Sequence, residues 1–261
     1  MRRRAVLGGG MGALAVAVGG WRPAMASPPG VGIEEPVLFP EGKPVPTVEQ
    51  ILASLPRFQG GHPAYAKEIE KGRRIMEGCA RDVAPMAVAQ YFATLCGGAL
   101  NEEYGDDAHL YAQEWPVRAN PVIVDFFNAT STRVPNGDVT PWCAAFVNWC
   151  LWRSGAVDGT NSAASSSFRS WKLATTEPRP GDIVVFQHKH DAWKGHVGFF
   201  ISRMAGGTYV LGGNQMPLRR DLPPGTYEAR NTGEVNVKLL PDNGKDLKLH
   251  SFRTVDGLRG G

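Results

Sequence analysis

One stretch constrains the fold more than any other. From Thr140 the chain reads Thr-Pro-Trp-Cys-Ala-Ala-Phe-Val-Asn-Trp-Cys-Leu-Trp, and Ala144, Ala145, Phe146, Val147, Trp149, Cys150, Leu151 and Trp152 leave almost no polar side on a helical wheel. A helix apolar nearly all round belongs inside a protein, with other elements packed around it. Thr140 suits the N-cap, Pro141 the first helical position and Gly155 the C-terminal stop. Cys143 is therefore expected in the first turn of a central buried helix.

After a serine-rich connection the period changes to that of strands. Asp182 to Phe186 follows the Pro180-Gly181 turn, His196 to Ser202 follows a polar loop, and Thr208 to Leu211 follows Ala205-Gly206-Gly207. Segments 234–239 and 249–255 add two further strands, and Pro223-Pro224-Gly225 reads as an inserted loop. The expected class is α+β, with the buried helix packed on an antiparallel sheet. Ahead of it, 64–79 and 83–96 carry helical spacing, 47–55 forms a short helix capped by Thr47, and Pro121 to Phe127 reads as another short helix.

The start of a buried helix is a place for chemistry. Its unpaired N–H groups and partial positive charge favour a thiolate and can also donate to an oxyanion. A base must remove the thiol proton, and of the six histidines His196 is the best placed. Val197, Phe199 and Ile201 would face the core, while His196 and Gly198 face the other way, the glycine leaving room for a substrate. Counting back from the Gly206-Gly207 turn sets His196 opposite a position within about two residues of Asn214 or Gln215. Asn214 would accept the imidazole N–H and hold its tautomer and ring plane.

These blocks carry a resemblance. Thr-Pro-Trp-Cys-Ala-Ala-Phe-Val-Asn-Trp-Cys, Pro-Gly-Asp-Ile-Val-Val-Phe, Gly-His-Val-Gly-Phe and Leu-Gly-Gly-Asn-Gln, in that order, resemble the CHAP and NlpC-type cysteine peptidase superfamily over about residues 120–215. The resemblance implies a papain-like α+β core, hydrolysis of peptidoglycan amide bonds through a thioester, and Cys143, His196 and Asn214 as the catalytic positions. Many such enzymes use an acid in the third place; none occurs between Gly206 and Arg220, and Gln215 competes with Asn214. Trp142, Asp138 and Gln215 are the candidates for substrate contact, although Asp138 would also suit a helix N-terminus without touching substrate. The rival readings are a general secreted peptidase or acyl transferase on the same scaffold, and an inactive wall-binding module.

The first residues belong to a different problem. Arg2, Arg3 and Arg4 precede an apolar, glycine-rich run and a small-x-small site at Ala24-Met25-Ala26, which is the layout of a signal peptide cleaved near Ala26. Arg3-Arg4 also resembles a twin-arginine export signal. Three segments follow: a signal peptide at 1–26, a linker and helical region at 27–100, and the hydrolase domain at 101–261. The expected location is periplasmic or secreted, with membrane contact only during export. A net charge of +3 gives no reason to expect a nucleic-acid partner. A monomer that binds peptidoglycan and needs no cofactor is expected. His188 and His190 form a His-x-His pair without further ligands, so no metal is assigned. Cys79 and Cys96 could form a disulfide, with Cys150 in the core.

Overall fold

The computed structural model describes residues 66–115, 119–132, 138, 140–217 and 233–258. The expected signal peptide, the linker, the helix at 47–55 and the loop around Pro223-Pro224-Gly225 lie outside these residues. Helices α1 (Ala66–Gly78), α2 (Pro85–Cys96), α3 (Asn101–Tyr104), α4 (Pro121–Phe126) and α5 (Cys143–Ser154) precede strands β1 (Leu173–Thr175), β2 (Ile183–His188), β3 (Gly195–Met204), β4 (Gly207–Gln215), β5 (Glu234–Pro241) and β6 (Leu247–Thr254). The strands form one antiparallel sheet in the order β1-β6-β2-β3-β4-β5. Strands β2 to β5 are the expected meander. The chain then returns across the sheet to lay β6 beside β2, with the three-residue β1 as an unexpected edge strand. This is the α+β arrangement of a papain-like core.

The sheet buries both faces. Ile183, Val185, Val197, Phe199, Ile201, Leu211 and Val235 point to the helices and join Phe146, Val147 and Trp149 of α5 in the main core. Val184, Phe186, Phe200, Val210, Leu240, Leu247 and Phe252 make a smaller core on the other face. Alternation along each strand produces this division. Helices α1 and α2 share the main core through Ile75, Val88, Phe92 and Leu95, so residues 66–96 pack as part of the same core as the sheet. Phe92 stands edge-on to Phe126, Phe146 and Trp149 at 5.1, 6.0 and 5.4 Å, contacts worth about 0.5–1.5 kcal/mol each beyond their buried area.

Helix α5 is buried as its composition demands, Trp152 excepted. Its start corrects the expectation. The helix begins at Cys143, with Trp142 rather than Thr140 at the N-cap and no side chain capping it. The Trp142 indole is fully buried, stacks on Phe126 at 5.9 Å and donates through Nε1 to Glu114 Oε1 at 3.1 Å. That tie holds the residue in a non-helical conformation and delays the first turn. Gly155 ends the helix in the left-handed region as expected, with φ of 67°. At the same end Arg153 is buried and donates from Nε to the Cys79 carbonyl at 3.0 Å and from Nη2 to that of Glu77 at 2.9 Å, fastening the end of α1 to α5.

None of the four cysteines is in a disulfide, so the structure contains no Cys79–Cys96 bond. Asp182, immediately before β2, is fully buried and accepts from the Arg179 amide at 2.8 Å and the Thr254 hydroxyl at 2.7 Å. It ties the start of β2 to β6.

Candidate active site

Cys143 is the first residue of α5 and is buried. Its sulfur meets β3 at the peptide bond between His196 and Val197. The N–H groups of Val197, Ala144 and Cys143 itself point at the sulfur and favour the thiolate. Burial outweighs them and pushes the thiol up to about 11. The thiol is therefore held protonated in this state, surrounded by donors that would serve a negative charge once one forms.

His196 lies on the neighbouring residue of the same strand and is fully buried. Burial depresses its pKa to about 4, while the Gln215 carboxamide acts in the opposite direction without compensating. Among the described residues, neither ring nitrogen has a hydrogen-bond partner. A buried donor or acceptor without a partner costs about 1–3 kcal/mol, and such groups gather where a reaction will use them. Thiol and imidazole are both held neutral, and no hydrogen bond joins them.

The residue beside the imidazole is Gln215. The Cβ position of Gly212 is 3.2 Å from His196 Nε2, 3.3 Å from Gln215 Cδ and 3.5 Å from Gln215 Oε1, so these groups converge on one point. Gln215 Oε1 is itself buried and unpartnered, whereas its Nε2 is fixed by the Asn236 carbonyl at 2.7 Å and Asn236 Oδ1 at 3.0 Å. The amide is thus held with its oxygen free to accept from the histidine.

Asn214 has a different environment, and the cause is a β-bulge. Gly212 pairs with Asn236 and Gln215 with Glu234, so β4 spends one residue more than β5 between these pairs. The extra residue returns Gln215 to the face that Gly212 and His196 share. Asn214 takes φ of 59° and turns its Oδ1 toward Gly233 and the Glu114 carboxylate. A strict two-residue alternation cannot anticipate that.

Two further candidates have structural surroundings. Asp138 is buried and accepts from the Trp115 and Asn120 amides at 2.7 and 3.2 Å, holding the loop before α4 rather than presenting an acid to a ligand. Trp142 offers no face to a ligand, for its ring is in the core and lies so close to Gly213 that a Cβ there would collide with it. Gly198 is also a close-packing glycine. Its Cβ position is 2.5 Å from Val210 Cγ1 and 2.8 Å from the Leu211 carbonyl, so it admits β4 and leaves no space for substrate.

Glu114 is a site residue that sequence reading missed. It is almost fully buried, binds the Trp142 indole one residue before the nucleophile, and its backbone N–H donates to Gly233 at 2.9 Å. No periodicity marks it; an acid between Gln113 and Trp115 reads as loop. Among the described residues, no group of three His, Cys, Asp or Glu side chains is arranged as metal ligands would be.

Residues 135–214, which include α5, strands β1 to β3 and β4 as far as its bulge, match the sequence profile of the CHAP domain. Searches of curated proteins and of solved structures found no match to the chain. The match spans the helix start, the strand of His196 and the strand that returns beside it, so that over these residues the chain is similar to a CHAP domain.

Proposed function

We propose that the protein is an exported cysteine hydrolase that cleaves amide bonds in cell-wall peptidoglycan. The observation that carries the proposal is the Cys143 sulfur held at the first turn of a buried helix against the peptide that joins His196 to Val197. CHAP domains act generally as peptidoglycan amidases or peptidases, and this supplies the substrate class.

In the proposed reaction a stem-peptide carbonyl approaches Cys143. His196 Nε2 faces Gln215, which leaves Nδ1 as the nitrogen to take the thiol proton. The thiolate adds to the carbonyl carbon, and the N–H groups at the start of α5 donate to the oxyanion. The imidazolium returns its proton to the leaving amine, and a thioester remains on Cys143. Water, deprotonated by the now neutral His196, attacks the thioester and releases the acid and the thiol.

Gln215 is proposed as the residue that holds the imidazole during these transfers. A charged ring in a buried site needs an acceptor, and the free Oε1 of Gln215 is positioned to become one. The hydrogen bonds from thiol to imidazole Nδ1 and from imidazole Nε2 to Gln215 form as substrate binds, a tightening common to hydrolases without bound substrate.

The arginines of Met1–Arg4 and the Ala24-Met25-Ala26 site support the export part of the proposal. Clearing of a suspension of purified peptidoglycan by the protein, compared with Cys143→Ala and His196→Gln, tests the whole reading. Clearing by the parent and by neither variant is expected; equal clearing by all three would refute it.

A further inference from the structure

The loop between β2 and β3 leads directly into His196 and carries Trp193, which is 83% exposed. Among the described residues no aromatic ring and no cation lies against this indole. Trp152, the other strongly exposed tryptophan, has Arg81 over its ring at 5.9 Å. An indole left in water forfeits the stabilisation that burial would give it. An exposed aromatic on a constrained loop beside a catalytic centre is a candidate for ligand contact.

The loop is braced on every side of this residue. The Trp193 N–H donates to Asp191 Oδ1 at 3.0 Å, and Asp191 pairs with Lys194 at 3.2 Å. The His188 amide closes the loop onto the Lys194 carbonyl at 3.1 Å. From below, Arg169 donates to the carbonyls on either side of Trp193, those of Ala192 at 2.5 Å and Lys194 at 2.9 Å. The backbone bearing the indole is fixed before any ligand arrives, which lowers the ordering cost of binding.

We infer that Trp193 is a glycan subsite on which a sugar ring of the peptidoglycan strand stacks while the attached stem peptide enters the Cys143–His196 centre. The inference rests on the proposed peptidoglycan substrate and names which part of it the loop holds. A pyranose presents a flat face of C–H bonds, whose positive edges suit the negative face of an indole, and a rim of hydroxyl and acetamido groups. The exposed side chains of His190 and Lys194 on the same loop give that rim hydrogen-bonding partners. A stem peptide of small and carboxylate-bearing residues has no such flat face. The span also fits: only Lys194 and Gly195 lie between Trp193 and His196, so the Cα atoms of Trp193 and His196 are at most about 11 Å apart, within the reach of a sugar and the first residues of its stem.

The test is binding of the tetramer of N-acetylglucosamine, followed by tryptophan fluorescence and calorimetry, to Cys143→Ala protein with and without Trp193→Ala. Binding that weakens at least 10-fold with Trp193→Ala, is partly restored by Trp193→Phe and is unaltered by Trp152→Ala supports the inference. No binding by the Cys143→Ala parent, equal binding after Trp193→Ala, or the same loss with Trp152→Ala overturns it. The two readings fail separately. Cleavage of purified peptidoglycan decides the hydrolase reading, and sugar binding by the inactive protein decides this one. Trp193 is exposed, so the variants should fold, and circular dichroism with thermal unfolding verifies that they do.

Discussion

The Cys143 sulfur accepts a hydrogen bond from the Val197 N–H, the amide of the peptide bond that joins Val197 to His196. One strand therefore carries both the amide that donates to this sulfur and the imidazole proposed as its base. The price of this closeness is burial, which drives both groups to their neutral forms.

That neutrality sets the acid limb of stability. His196 has a folded pKa of about 4 against an ordinary 6.5, so between these values the unfolded chain binds the extra proton and stability falls as pH falls. Denaturant unfolding at pH 7 and pH 4.5 should show a loss that is smaller in His196→Gln by about 2–3 kcal/mol. An identical loss in both proteins would mean that the imidazole is not held neutral.

The thiol acts at the opposite end. Cys143 keeps its proton in the folded state up to about 11 against 9.0 unfolded, so it lowers stability as pH rises from 9 toward 11. Without substrate, alkylation of Cys143 by iodoacetamide near pH 7 should be at least 10-fold slower than that of an exposed thiol, as read by mass spectrometry of the labelled peptide. Labelling as fast as a free cysteine would contradict the protonated, buried state.

Gln215 and Asn214 separate by substitution. Gln215→Ala should lower kcat by about 10- to 100-fold, an effect typical of losing a group that orients a catalytic base. Asn214→Gly should retain most activity, because glycine accepts the φ of 59° at no steric cost. Steady-state cleavage of a soluble muropeptide gives both values. The reverse order would return the third position to Asn214.

Glu114 holds the helix start through Trp142. Glu114→Ala leaves the indole N–H buried without this partner, and thermal unfolding should report a loss of about 1–3 kcal/mol. Trp142→Phe in the same background should recover part of it, since the orphaned donor is then gone. Additive losses would show that the two side chains are not coupled.

Much of this arrangement was legible in the residues. The all-round apolarity of Ala144 to Trp152 could only mean a buried helix, and turns at Pro180-Gly181 and Gly206-Gly207 bounded the strands around His196. The rest depends on partners far away in sequence. Asp138 looks like a free acid until Trp115 and Asn120 supply their amides. Thr140 looks like the better cap until Glu114 claims Trp142. Counting by twos through Gly212 and Gly213 cannot reveal that β4 bulges and exchanges the orientations of Asn214 and Gln215. Strand β1 is three residues with Leu173 exposed, too short and too open for any period to register.

The most direct test of the account is mass spectrometry of soluble fragments released from purified peptidoglycan by the protein and by Cys143→Ala. The account predicts fragments with a newly hydrolysed amide bond from the parent alone. Release by Cys143→Ala at the parental rate, or none from folded and reduced parent protein, would contradict it.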